Sequence, residues 1–330
     1  MNVLYTCDDN YVWLMGISML SLFENNKDLD AISVYLLGER ISEENKSKLK
    51  DIADKYKREC IIIEMPELDI PQSLVSKRWP KSAFSRLYAA NILPDNLDSI
   101  LYLDCDTVIM GSLSYMDKLN NSDCVIYGVR DCIGEFYRKN IGLNRKSLYV
   151  NAGVLLMNLE KMRKINISQI IDSFLSEYGQ LIHYADQDVL NGIFKGEFGV
   201  LPAEYDVMTL EYMYSYDNIL RMRDPINFYS KDEIEKAVNN PVIVHFTTCM
   251  LNVRPWFKNT NHPKAAEFLH YKDMSPWKEI EAKEYVSNGG VKDKVFKILG
   301  LLPEKIETMM LGLIHSKLYP FVISKKTKKH

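Results

Sequence analysis

Through its first hundred residues the chain alternates short apolar runs with longer segments whose apolar positions recur at helical spacing. Val3-Leu4-Tyr5-Thr6 breaks on the polar Cys7-Asp8-Asp9-Asn10, the profile of a buried strand ending in a loop. Residues 11–23 predict a helix whose Asp/Asn-rich start suits capping. Residues 31–37 predict a second strand. Residues 41–56 predict a helix with Ser42 as N-cap and Glu44 and Asn45 in its first turn. Strands follow at 60–63 and 100–103, separated by a helix over 81–92 entered through Trp79-Pro80. This strand–helix rhythm predicts the α/β class, with a mostly parallel sheet covered by helices on both faces. Ligands of such sheets bind beyond the carboxyl ends of the strands. Asp8-Asp9 and Asp104/Asp106 both fall there.

Beyond residue 106 the pattern changes. Residues 125–129 predict a strand ending in Arg130-Asp131, and 149–158 a strand whose Ala152-Gly153 pair lets something approach the backbone closely. A helix is expected near 166–178. Another begins at Asp186-Gln187-Asp188, with acids at its N-terminus. Residues 204–230 are rich in Tyr and Asp with weak periodicity, and predict a surface segment; its tyrosines and Trp256 are candidate stacking faces for a ligand, or, for the tyrosines, equally loop packing. Residues 241–245 predict a strand delivering His245, followed by Arg254-Pro255-Trp256. Residues 291–318 read as helical, divided by Pro303, and the chain ends on Lys325, Lys326, Lys328 and Lys329. Two units result: a catalytic domain over 1–260 and a helical, basic-ended appendage over 261–330.

Composition narrows the class. Of 330 residues 47% are hydrophobic and 26% charged, enough for a sizeable core. A net charge of −3 gives no drive toward nucleic acid. Six cysteines without C-x-x-C spacing fit neither a zinc site nor a disulfide framework, and suit a reducing cytoplasm. The chain opens directly on a strand-like run with no signal-peptide pattern, and no apolar stretch is long enough to span a bilayer. Membrane contact is therefore expected only as peripheral binding to the inner leaflet, through the apolar face of 291–318 and the terminal lysines, or else that face packs on protein.

The candidate chemistry centres on Ser99-Ile100-Leu101-Tyr102-Leu103-Asp104-Cys105-Asp106. A buried strand ends in two carboxylates two residues apart. Such a pair repels itself unless a cation lies between, and hard oxygen ligands suit Mg²⁺ or Mn²⁺. The plainer alternative is a strand end leading into a polar turn.

Six motifs in register resemble glycosyltransferase family 8, which includes bacterial lipopolysaccharide galactosyl- and glucosyltransferases. They are residues 5–10, Ser85-Arg86-Leu87-Tyr88, residues 101–106, Asn151-Ala152-Gly153, Asp186-Gln187-Asp188, and His245 with Arg254-Pro255-Trp256. The resemblance implies a GT-A nucleotide-sugar-binding fold, an α/β/α sandwich. It also implies retaining transfer of a hexose, glucose or galactose, from a UDP-sugar to a glycan or glycolipid acceptor. Asp104, Asp106 and His245 match the metal ligands, and an imidazole beside carboxylates favours Mn²⁺ over Mg²⁺. Thr6, Asp8, Asn10, Arg86, Cys105, Asn151 and Ala152 match the donor-binding set. Asp131, Asn151, Asp186 and Gln187 match the sugar-contacting groups, with Gln187 facing the anomeric carbon. Without the resemblance each has an ordinary alternative: a polar loop for Asp8, a helix-surface charge for Arg86, a capping role for Asp131, Asn151 or Asp188. The family's His-x-x-Gly-x-x-Lys-Pro-Trp ending is altered here. Thr248 stands for Gly, three extra residues intervene, and Arg254 takes the lysine's place on the diphosphate.

Asp104-Cys105-Asp106-Thr107-Val108 also fits the nucleophile motif of haloacid-dehalogenase-type phosphatases, with Asp104 attacking phosphorus. That motif usually opens its domain, whereas three strand–helix units precede it here.

Overall fold

The computed structural model describes residues 1–68, 70, 84–119, 124–249, 253–286, 295–296 and 298–326. Strands β1 (Asn2–Asp8), β2 (Ser33–Glu39), β3 (Glu59–Glu64) and β4 (Ser99–Leu103) lie parallel in the order β3-β2-β1-β4. Further along the chain come β5 (Thr107–Ile109), β6 (Ile126–Arg130), β7 (Val150–Asn158), β8 (Phe198–Val200), β9 (Val207–Met208) and β10 (Ile243–His245). β7 joins β4 antiparallel, β6 joins β7 antiparallel, and β8 closes the seven-stranded sheet parallel to β6. The sheet is mixed and predominantly parallel, as expected. A second sheet of three short strands runs β5-β10-β9.

Strand alternation divides the apolar side chains between two layers. Val3, Tyr5, Leu36, Leu101 and Leu103 enter one with the helix α1 (Val12–Asn25). Leu4, Leu37, Ile100 and Tyr102 enter the other, against the segment around Phe84–Ala90 and the helix Ile167–Tyr178. On β7 the alternation slips. Val150 and Ala152 share a layer with Leu155 and Met157, so the phase changes at Gly153.

Several local expectations are corrected. No side chain caps α1; Asp9 turns away and accepts from the Ser42 backbone N–H (2.9 Å) and from Asn45 Nδ2 (2.8 Å). It thereby braces the start of α2 (Glu43–Tyr56), where Ser42 is the N-cap. The helix expected over 81–92 begins, in its described part, as a tight 3-10 turn at Ser85–Tyr88 before Ala89–Ile92. Trp79, Pro80 and Lys81 lie outside the described residues. The segment 204–230 is not a surface segment. Tyr205, Asp206, Val207, Leu210, Glu211, Ile219, Met222 and Tyr229 are all buried.

Past residue 260, Phe268 and Tyr271 of the helix Ala265–Met274, with Trp277, join the first core layer. Pro303 precedes the helix Glu304–Gly312, which continues through a wider π-type turn at Leu313–Leu318 into Tyr319–Lys326. One side of this stretch packs on the helix Tyr216–Arg223. A Cβ on Gly312 would lie 2.3 Å from the Arg221 carbonyl oxygen, and Ser316 Oγ donates to the Met222 carbonyl (2.8 Å). The other side leaves Ile306, Met309, Leu313, Leu318 and Phe321 exposed. Val291, Lys328 and Lys329 lie outside the described residues. Among those described, no helix is long and apolar enough to cross a membrane.

Candidate active site

After Leu103 the backbone turns tightly. The Asp104 N–H donates to the Gly153 carbonyl (2.8 Å) and Thr107 Oγ1 donates to the Asp104 carbonyl (2.8 Å). β5 then pairs antiparallel with β10, setting Thr107 opposite His245, and the Phe246 N–H donates to the Asp106 carbonyl (2.9 Å). Two short strands thus bring a distant imidazole to the twin carboxylates. His245 Nε2 lies 3.3 Å from Asp106 Oδ1 and 3.6 Å from Asp104 Oδ2, and the three candidate ligand atoms lie within 4.8 Å of one another. Two hard carboxylates and one imidazole converging on one point could hold a divalent metal ion.

Each carboxylate has one oxygen anchored and one offered. Asp104 Oδ1 takes Arg86 Nη2 (3.0 Å) and Tyr102 Oη (2.7 Å), leaving Oδ2 toward His245. Asp106 Oδ2 takes Arg254 Nη2 (3.1 Å), leaving Oδ1. The longer loop therefore still delivers Arg254 to the site. Burial pushes the Asp106 carboxyl up, but Arg254 and His245 outweigh it and hold it at about 2. Burial alone would lower the His245 pKa; the Asp206 and Asp106 carboxylates reverse this and raise it well above its usual value.

Gly153 explains the small pair on β7. A Cβ there would lie 2.2 Å from His245 Cε1, so the close approach expected of that backbone is made by the imidazole. Arg86 is 6% exposed, stacked on Tyr102 with 4.2 Å to the ring centroid, and bridges Asp104 to Asp186 through Nε (3.0 Å) while donating to the Ala152 carbonyl. It is not a surface charge. Burial tends to lower its pKa, but the Asp104 and Asp186 carboxylates outweigh this and raise it above its usual value, so it is a permanent cation. Burial pushes Asp186 up to about 6 against the pull of Arg86.

Gln187 is pinned at both ends. Its Oε1 accepts the Ala152 N–H (3.0 Å), and its Nε2 donates to Asp131 Oδ2 (2.8 Å) and Tyr149 Oη (3.2 Å). Asn151 Nδ2 also donates to Asp131 Oδ2 (3.2 Å). Asp188 is structural: it accepts the His183 and Tyr184 backbone N–H groups (both 2.7 Å) and the Tyr149 hydroxyl (2.6 Å). This fastens a turn in which Ala185 adopts a φ of +46°, delivering Asp186 and Gln187.

An open cleft of about 220 Å³ gathers Arg86, Asp104, Asp106, Asn151, Ala152, Asp186, Gln187, His245 and Arg254. Thr6 and Cys105 are not part of its lining; the Cys105 thiol donates to the Thr6 carbonyl, and Thr6 Oγ1 lies 3.3 Å from Tyr102 Oη. Asp8 and Asn10 bond to one another at the end of β1 (3.0 Å), beside the cleft rather than in its lining. Sequence reasoning missed Tyr184 and Thr247, which line the cleft, and Asp206 behind it. Trp256 packs on Trp13 and Phe268, with Arg254 over its ring, so its faces serve the core and the arginine.

Fold and site together define a glycosyltransferase of the GT-A fold. The chain belongs to glycosyl transferase family 8, whose sequence model matches residues 2–260, and this removes the phosphatase alternative. It is similar to lipopolysaccharide 1,2-glucosyltransferase of Escherichia coli, 27% identical over 90% of this chain and 85% of that one. It is also similar to general stress protein A of Bacillus subtilis (strain 168), 24% identical over 85% and 96%. Lipopolysaccharide 1,3-galactosyltransferase of Salmonella typhimurium is 27% identical over 84% and 79%. Among solved structures, galactosyltransferase LgtC in complex with donor and acceptor sugar analogs shares the fold, with a TM-score of 0.68 at 23% identity, covering 84% of this chain and 96% of that one.

Proposed function

We propose that this glycosyltransferase moves a hexose, glucose or galactose, from a UDP-sugar to a hydroxyl of a glycan or glycolipid, with retention of anomeric configuration. The observation carrying this reading is the convergence of Asp104, Asp106 and His245 beside a buried Arg86 and a near-surface Arg254. The three ligands would hold Mn²⁺, or Mg²⁺ in its place, and the ion would supply Lewis-acid neutralisation of the departing diphosphate. Arg254 offers a planar fork of donors to diphosphate oxygens. Asp8 and Asn10, at the end of β1, accept from and donate to the uracil and ribose, with Thr6 and Cys105 below.

Asp186, Asn151 and Asp131 supply acceptors and donors to sugar hydroxyls, and Arg86 acts on the donor partly by holding Asp104 and Asp186. Gln187 faces the anomeric carbon. A neutral amide is a poor nucleophile, and Gln187 is already held by Ala152, Asp131 and Tyr149, so its oxygen steadies positive charge on the sugar while the acceptor enters from the leaving-group side. A covalent glycosyl adduct trapped on Gln187 or Asp186 would overturn that route.

The activities of these relatives support a cell-surface glycan such as lipopolysaccharide as acceptor. A cytoplasmic enzyme resting on the inner leaflet fits the apolar side of 304–322 and the lysine-rich end. The deciding experiment incubates purified protein with Mn²⁺ and a panel of UDP-sugars and follows UDP release. Release from UDP-glucose or UDP-galactose, abolished in Asp106→Asn, is expected. Absence of both binding and cleavage across the panel would refute the reading.

A further inference from the structure

His245 has a second partner on the side away from the carboxylate pair. Its Nδ1 lies 2.9 Å from Asp206 Oδ1. Asp206 is 0% exposed, and its other oxygen, Oδ2, has no hydrogen-bond partner among the described residues. A carboxylate out of contact with water and held by one side-chain bond is expensive for a fold to keep. Nothing in strand packing calls for it: its neighbours in sequence, Tyr205 and Val207, are ordinary core residues.

Its placement is well fixed. The Asp206 N–H donates to the Ala203 carbonyl (3.2 Å), and β9, which begins at the next residue, pairs parallel with β10 so that Met208 stands opposite His245. The Met208 N–H is in turn held by Glu211 (2.9 Å). Behind the ring, Gly153 leaves room for the imidazole and nothing larger. The ring is thereby held between Asp206 and the carboxylate pair, and its two nitrogens have separate tasks.

We propose that Asp206 is a positioning residue for the metal site. By accepting Nδ1–H it selects the tautomer whose Nε2 lone pair points between Asp104 and Asp106, and its charge makes that nitrogen a better ligand. Outer partners of ligating histidines act in this way, and their loss weakens metal binding about ten- to a hundredfold. The inference rests on the metal reading proposed above.

The test uses the full-length chain and Mn²⁺ alone, titrated at constant neutral pH and followed by electron paramagnetic resonance of the free ion. Wild type should bind the ion, and Asp104→Asn and His245→Ala should lose it. Asp206→Ala should bind about ten- to a hundredfold more weakly. Asp206→Asn should fall between, because an amide oxygen still accepts Nδ1–H without the charge. A second readout needs no metal: nitrogen NMR of His245 at alkaline pH should show Nδ1–H in wild type and a shift toward Nε2–H in Asp206→Ala. Should the alanine variant not fold, the isosteric Asp206→Asn carries both measurements, its binding weakened and its Nδ1–H signal moved. Unchanged Mn²⁺ affinity in either Asp206 variant, or an unchanged tautomer in Asp206→Ala, overturns the proposal. If Asp104→Asn and His245→Ala bind like wild type, the metal reading itself has failed, and the tautomer measurement still decides the role of Asp206.

Discussion

Adding one methyl group at Gly153 tests the whole architecture of the site. In Gly153→Ala the new Cβ would stand 2.2 Å from His245 Cε1 and 2.7 Å from Nδ1, where ordinary contact begins at 3.4 Å. The imidazole or the strand must yield by more than an ångström. The strand is tied, because the Gly153 carbonyl accepts the Asp104 N–H and its own N–H bonds Asn151 Oδ1 (2.7 Å). The ring is the softer party, and moving it breaks the bond to Asp206 and carries Nε2 away from Asp106. Overpacking of this kind costs about 1–3 kcal/mol of stability. The sharper signature is linkage: a ligand at a hundredfold excess over its Kd stabilises the native state by about 2.7 kcal/mol. Thermal denaturation with and without Mn²⁺ should show a clear rise in Tm for wild type and little or none for Gly153→Ala, together with a lower metal-free Tm. A variant that keeps the parent's metal-free Tm and the full Mn²⁺-dependent rise would refute the argument that this glycine exists to seat the imidazole.

Three further outcomes follow from the geometry. Native Asp186 titrates near 6 against an unperturbed 3.8, so the folded protein holds the extra proton between those values and stability falls as pH rises through that window; Asp186→Asn, which cannot ionise, should gain on wild type by up to about 3 kcal/mol from below pH 4 to above pH 6 in urea unfolding, and a pH-independent difference would contradict this. Arg254→Ala should weaken UDP binding in the presence of Mn²⁺ by a charge-assisted hydrogen bond, about 1.5–3 kcal/mol by calorimetry, with Arg254→Lys recovering part; equal affinity in all three proteins would remove Arg254 from the diphosphate. Met309→Glu combined with Leu313→Glu should abolish salt-sensitive sedimentation with anionic vesicles, to which each nearby lysine contributes about 1 kcal/mol, while leaving donor hydrolysis intact; undiminished sedimentation would place any membrane contact elsewhere.

The parallel half of the sheet was readable because strands buried on both faces become unbroken apolar runs, as at residues 100–103, bounded by polar turns. The acids at the ends of β1 and β4 followed from that reading. His245 and Arg254 were singled out through the resemblance to family 8, and Arg254 reaches Asp106 despite the extra loop residues. Asp206 was invisible for physical reasons. It sits between a single 3-10 turn and a two-residue strand, too short for any periodicity, in a stretch whose tyrosines and acids imitate a solvated surface. Tyr205 and Tyr229 are instead buried and Tyr212, Tyr214 and Tyr216 partly so, and two of the hydroxyls bond main chain, Tyr216 Oη to the Tyr229 carbonyl (2.7 Å) and Tyr229 Oη to the Leu201 carbonyl. Capping was misplaced for a related reason: Asp9 could serve the helix beginning near it or the one beginning at Ser42, and only tertiary proximity chooses between them.

The three-stranded sheet β5-β10-β9 sews residues 107–109 to residues 243–245, more than a hundred positions later in the chain. No fragment released before His245 has been made can therefore assemble the trio, however well its seven-stranded sheet has formed. The trio arrives late and all at once, and a ribosome stalled upstream leaves behind a product that lacks it.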